Sequence, residues 1–378
     1  MNPATRRTEG NATAPVLYMG LEMCLPLHRN VPGIPYALHS RHHTDLGEEG
    51  MSTRTVILAM LAAALCGTAS AQTQTIEAIV FAGNSAMPLY VAQDKGYFAR
   101  EGLTVNVHPT PSSGFQMANL IAGKFHIAGT AMDNLIAYQE GQGTAKVDRA
   151  PDLVAFLGGS SIELALMAQP SIRSIAELRG KEFALDSLST GFAFVLRRML
   201  EKNGLGPNDY KFVAVGGTRE RLEALQSGKL AAALLSEPLT SQAKNLGFSF
   251  LGEAVESVGR YQSGVQIANR ALARSNEKAV IGYIRGIIAG VEWIYNPANR
   301  EEAAKILAGR MKIPEATARP AVLRLVQGRA ALDPKAEMDI EGLRNVIALR
   351  EQYAEPKKKM GPPEKYYDPS YFKKALAR

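Results

Sequence analysis

Between residues 76 and 235 the chain alternates short apolar runs with stretches of helical spacing, and Gly, Ser, Thr or Asn marks each changeover. Nothing else in the sequence constrains the fold as tightly. A helix-length connection is too long for a hairpin, so strands separated by helices lie parallel, which is the signature of an α/β architecture. Residues 76–82 read as a strand closed by Gly83-Asn84-Ser85, and residues 87–100 have helical spacing that stops at Gly102. Residues 103–107 form a second strand, and a loop over 109–113 leads to a helix opened by Gly114-Phe115 and ended by Gly123. A third strand over 125–129 stops at Thr130, Ala131, Met132 and Asp133.

The middle of the chain repeats this grammar. A strand over 182–186 runs into Ser187-Leu188-Ser189-Thr190-Gly191 and a helix over 192–203; a strand over 212–215 runs into Gly216-Gly217-Thr218 and a helix ended by Gly228. A last strand over 230–235 stops at Ser236-Glu237-Pro238. Gly123-Lys124 and Gly228-Lys229 hold equivalent places, so the chain reads as two similar units, with a period too long for a solenoid. Residues 277–350 are mostly helical, with Trp293 read as core. Residues 355–363, rich in Pro and Lys, read as a surface strap, with Lys357-Lys358-Lys359 as a solvated face, and Asp368-Pro369 as the cap of a last short helix.

The length of 378 residues agrees with two such units, and a charged fraction of 21 % excludes wholesale disorder. The one segment apolar enough to approach a membrane begins at Met51. A basic start (Arg54), an apolar run over 56–65 and the small-residue box Ala69-Ser70-Ala71 have the order of a signal peptide cleaved after Ala71. Cys66 follows Leu65, which is not small, so a lipoprotein anchor is not expected. Residues 1–50 have no periodicity, and Gly47-Glu48-Glu49-Gly50 requires purine-rich codons resembling a ribosome-binding site; Met51 is therefore the expected start. The first 71 residues carry five Arg and five acids, so the remainder keeps the net charge of +7. Both cysteines (Cys24, Cys66) fall in that segment, and only His108 and His126 lie beyond it. A cysteine-free mature chain suits an oxidising periplasm and excludes a Cys nucleophile or thiolate metal site.

In open α/β sheets, ligands bind at the carboxyl ends of strands against helix N-termini. The loops there (Asn84-Ser85, Ser112-Ser113-Gly114, residues 130–134, Ser187 to Phe192, Gly216-Gly217-Thr218, Ser236-Glu237) are rich in groups that cap helices or hold a small polar ligand. Catalytic patterns are absent. Ser113-Gly114 lacks the Gly-x-Ser-x-Gly frame, and Gly83, Gly216 and Gly217 form no dinucleotide or phosphate-loop fingerprint. His108 and His126 have no helix-spaced partner, so no metal or other cofactor is expected. Without interleaved aromatics, the lysine run does not read as a nucleic-acid stripe.

Residues 84–92 (Asn-Ser-Ala-Met-Pro-Leu-Tyr-Val-Ala), Lys95-Gly96-Tyr97-Phe98 and Glu101-Gly102-Leu103-Thr104-Val105 resemble the opening of one group of solute-binding proteins. That group serves ABC importers for nitrate, sulfonates, taurine and thiamine-pyrimidine precursors. The resemblance continues through residues 120–124, Asp133-Asn134, residues 174–181, and Ala231-Ala232-Ala233 with Glu237-Pro238, covering residues 76–378. It implies an α/β, two-lobed type II periplasmic binding protein fold, each lobe a mixed, mainly parallel sheet flanked by helices. On this resemblance, two hinge crossings would join the lobes near Leu164–Met167 and Tyr261–Val265. Lobe one would be 76–164 plus 264–378, and lobe two 165–263, after an extension (1–50) and a signal peptide (51–71).

The implied function is capture of a small polar organic solute by lobe closure in the periplasm and delivery to an ABC permease in the inner membrane, by a monomer without enzymatic chemistry. The loops carried over as ligand contacts are Asn84, Ser85, Ser113, Gly114, Met132, Asp133, Ser160, Ser161, Ser187, Thr190, Gly191, Gly216, Gly217 and Glu237. Arg219 and Arg260 are candidates for an anion, and Phe115 and Phe192 for a ring. Asp133 and Glu237 would repel an anion, which favours a nitrogen-bearing solute such as an aminopyrimidine over a sulfonate. The rival readings are an enzyme on the same fold acting on a pyrimidine precursor, and a sensor docking on a membrane receptor.

Overall fold

The computed structural model describes residues 73–377. The expectations for residues 1–71, including the signal peptide and the start at Met51, lie outside the described residues. In chain order the elements are β1 (Gln74–Val80), α1 (Met87–Asp94), α2 (Tyr97–Arg100), β2 (Leu103–Pro109), α3 (Ser113–Ile121), β3 (Ile127–Ala131), α4 (Met132–Gln139) and β4 (Leu153–Ser160). Then follow β5 (Ala165–Ala168), β6 (Lys181–Leu185), α5 (Gly191–Lys202), β7 (Tyr210–Ala214), α6 (Thr218–Gln226), β8 (Ala232–Leu235), α7 (Leu239–Asn245), β9 (Ser249–Glu253) and α8 (Ala254–Val258). The chain returns through β10 (Gly264–Asn269) and closes with α9 (Arg270–Ser275), α10 (Glu277–Tyr295), α11 (Arg300–Met311), α12 (Glu315–Val326), α13 (Ile340–Tyr353), α14 (Pro363–Tyr366) and α15 (Ser370–Leu376).

These strands form two five-stranded sheets, ordered β2-β1-β3-β10-β4 and β7-β6-β8-β5-β9. β1 runs parallel to β2 and β3, and β6 parallel to β7 and β8, as the strand–helix alternation requires. One strand in each sheet is antiparallel, and it holds the same position in both: β10 between β3 and β4, β5 between β8 and β9. Each of these strands enters its sheet just after the chain has passed from one sheet to the other. The passages span residues 161–164 and 259–263. The expected crossing at Leu164–Met167 falls a few residues late, because Ala165–Ala168 is already strand. That run of four buried apolar residues pairs along both edges and has no polar turn to mark its start.

The expected helix over 87–100 is two helices, broken where Gly96 adopts φ 69. The third strand lies two residues later than expected and runs into α4 without a turn. Gly123 and Gly228 are both left-handed (φ 82 and 71), each just beyond the C-terminus of a helix. Lobe one gains a second layer from α10, whose Gly282, Gly286 and Gly290 recur every four residues on the face turned to α1, α2 and Glu101. A Cβ on Gly290 would stand 2.3 Å from the Pro88 carbonyl oxygen, and one on Gly286 2.4 Å from the Phe98 ring. The stripe therefore lets Phe98 stack on Tyr283, with ring centroids 5.2 Å apart. Lys357, Lys358 and Lys359 are all exposed, as expected of a solvated face, and Lys358 also reaches the buried carboxylate of Glu140 at 2.5 Å. Asp368 accepts from the Ser370 N–H at the start of α15. Among the described residues no helix is long and apolar enough to cross a membrane.

Candidate functional site

The carboxyl ends of β1, β2, β3, β4, β6, β7 and β8 converge on one cleft of about 400 Å³ between the two sheets. Seven expected contact residues line it: Ser85, Ser160, Ser161, Thr190, Gly191, Gly217 and Glu237, and so do Arg219 and Phe192. Its walls are largely apolar, with Leu89 of α1, Ile287 and Val291 of α10, Met311 and Leu332 on the side of the first sheet.

The other expected contacts are held elsewhere. Asn84 is buried and donates its amide to Glu163 at 3.0 Å and to the Ala321 carbonyl at 2.8 Å. Ser113 donates its hydroxyl and N–H to Asp186 across the lobes. Gly114 packs toward Thr144 and Ala145, and Met132 is in the core. The Ser187 carbonyl accepts the Thr190 hydroxyl, and Gly216 (φ 110) turns the chain against Pro111. Arg260 is bound to Asp339 and Glu341 on the surface, and Phe115 is 48 % exposed outside the cleft. His108 and His126 both bond to Glu77, away from the cleft.

Asp133 changes the electrostatic argument most. Its carboxylate is buried and bidentate with Arg350, at 2.7 and 2.6 Å, and it accepts the Gly191 N–H at the start of α5 at 2.5 Å. Arg350 also donates to Gln142 and to the Ser189 carbonyl, so one fully buried ion pair joins the two lobes. Asp133 is thus neutralised and absent from the lining, and half the expected repulsion of an anion goes with it. Glu237 stays in the cleft, where Arg324 approaches it at 3.6 Å.

Two lining residues were not foreseen. Arg221 is 2 % exposed, and burial holds its guanidinium down to about 10. It folds back over the start of its own helix, donating Nε to Gly217 O and Nη2 to the Thr218 hydroxyl, while Nη1 has no partner among the described residues. Glu163, in the first passage, is partly buried where it lines the cleft. Burial, with Glu237 nearby, pushes its carboxyl up to about 8. The sequence signals were a lone acid in the otherwise uncharged run 153–172 and an Arg in a first helical turn, where acids are favoured.

Helix starts on the cleft differ in what already occupies them. Ser112 and Asp186 take the N–H groups opening α3, Asp133 that of α5 and Glu237 one in α7; α6 has no side-chain cap. Two α/β sheets that share a cleft at their strands' carboxyl ends and are joined by two passages define a two-lobed periplasmic binding protein fold. Residues 84–300 match the family model described as NMT1/THI5 like, and the chain belongs to that family. It is similar to YtlA of Bacillus subtilis (strain 168), 24 % identical over 250 residues, covering 65 % of this chain and 73 % of that one. Among solved structures it resembles the periplasmic nitrate-binding protein NrtA from Synechocystis PCC 6803 (TM-score 0.69, 14 % identity, 81 % of this chain and 89 % of that one). It also resembles the periplasmic aliphatic sulphonate binding protein SsuA from Escherichia coli (TM-score 0.61, 16 % identity, 79 % and 93 %).

Proposed function

We propose that the protein is an exported solute-binding protein that captures a small organic anion in its inter-lobe cleft and delivers it to an ABC permease, without making or breaking a bond. The observation that carries this reading is the uncapped start of α6, where the guanidinium of Arg221 is buried with one nitrogen unpartnered among the described residues; Arg219 also lines the cleft, its Nη2 donating to the Met311 carbonyl. An acidic group of the solute is held by the free N–H groups of the first turn, with the charge of the Arg221 guanidinium behind them. Asp186 and Glu220 flank the same end; Asp186 turns its oxygens to Ser113, and Glu220 lies over Gly216-Gly217. A cleft of about 400 Å³ with apolar walls suits an organic body, whereas a bare inorganic anion would leave most of it unfilled. With Asp133 paired, the case for an aminopyrimidine over a sulfonate weakens. That the similar structures include a nitrate-binding and a sulphonate binding protein also supports an anion.

The test is calorimetry and thermal shift with benzenesulfonate, nitrate and an aminopyrimidine. Benzenesulfonate is expected to raise the melting temperature and the other two to leave it unchanged. Arg221→Met weakens benzenesulfonate binding at least tenfold while keeping the fold, since it removes a buried charge with an unmet donor. Turnover of a bound compound, or binding indifferent to Arg221→Met, would overturn the reading.

A further inference from the structure

Glu163 sits where the chain passes from the first sheet to the second, and it lines the cleft. Its Oε1 accepts the Asn84 amide at 3.0 Å. Asn84 is itself fixed, donating to the Ala321 carbonyl and, through its backbone N–H, to the Glu237 carbonyl at 3.2 Å. Among the described residues the other carboxyl oxygen of Glu163 takes no hydrogen bond. The charged groups facing Glu163 are Glu237 from the β8–α7 turn, Glu253 at the end of β9, and Arg324 of α12. Arg324 is committed to Glu253 at 2.7 Å and reaches Glu237 at 3.6 Å, so one guanidinium already serves two carboxylates. A third ionised carboxyl has no countercharge left.

We propose that Glu163 is a specificity-determining residue that donates its carboxyl proton to a hydrogen-bond acceptor on the bound solute, so that the cleft selects organic anions carrying a second, neutral acceptor. The inference rests on the organic-anion reading above and adds its second polar contact. The geometry determines which oxygen holds the proton: Oε1 is an acceptor for Asn84, so the O–H lies on the oxygen left to the cleft. With the carboxyl pushed up to about 8, it is neutral near pH 7 and can donate.

The experiment compares benzenesulfonate with para-acetylbenzenesulfonate, which share the acidic group and differ by one carbonyl acceptor. In the wild type the acetyl compound binds about tenfold more tightly near pH 7, the worth of one hydrogen bond to a buried partner. That advantage falls by up to tenfold per pH unit above about pH 8, as Glu163 loses its proton. Glu163→Gln keeps a donor, so it keeps the preference and flattens its pH profile; Glu163→Ala abolishes the preference.

A readout without solute accompanies these. In protein carrying carbon-13 at the glutamate carboxyls, one resonance titrates near pH 8 in the wild type and is missing from Glu163→Gln. No glutamate carboxyl titrating above about pH 6, or an acetyl preference unchanged in Glu163→Ala while Arg221→Met still weakens both compounds, overturns the role of Glu163 alone. Failure of both sulfonates to bind overturns it together with the reading on which it rests.

Discussion

Glu140, just beyond the C-terminus of α4, shows how a single buried carboxylate ties down a distant segment. Against burial that alone would raise it, Lys358, Lys365 and Tyr366 hold its carboxyl at about 2. A folded-state value below the unfolded one gives stability that is in place above about pH 4.5 and is lost as pH falls from there through about 2. Glu140→Gln should therefore flatten the acid limb of the stability curve. At pH 7 it should cost about 1–2 kcal/mol, a modest figure because both lysines are half exposed; urea melts at several pH values measure both effects. Nothing local foretells such a contact, since Glu140 and Lys365 are 225 residues apart. Asp133 and Arg350, 217 residues apart, were illegible for the same reason. A first-turn acid on α4 read as a ligand contact, because its partner lies on a helix that folds back over it.

At the scale of elements, α10 packs by subtraction. Its three glycines leave a flat face on which Pro88, Phe98 and Glu101 rest, so side-chain volume there has nowhere to go. Gly290→Leu should destabilise the protein by about 3 kcal/mol, through overpacking against the backbone of α1, with a lower melting temperature as the measure. Gly309→Ala, with nothing within 4 Å of the added Cβ, is the matched control that should not. Elements whose signal is local were legible in the sequence: β1 and β6 as short apolar runs, and the helix ends at Gly123 and Gly228 as left-handed stops. The antiparallel strands β5 and β10 were not read as strands. β5 is only four residues long and follows β4 with no helix between them, and β10 is set off from the short helix α8 by the passage over 259–263.

At the scale of the whole molecule, contacts that need no solute span the cleft: Ser113 to Asp186, Gly217 to Pro111, and Asp133 to Gly191. The last leaves no room, since a Cβ on Gly191 would stand 2.6 Å from both the Asp133 carboxyl carbon and the Tyr261 hydroxyl. Gly191→Ala should accordingly hold the lobes apart. Small-angle scattering is expected to report a larger radius of gyration, and benzenesulfonate to bind more weakly, with each sheet still folded; an unchanged radius would refute this. The nesting of one sheet within the other also dictates an order of assembly. Strands β5 to β9 are contiguous, so the inner sheet can complete itself as soon as residue 253 is free of whatever carries the chain. The outer sheet must wait for β10 to arrive from beyond it, and that long-delayed closure makes the outer lobe the slower to mature and the one on which refolding stalls.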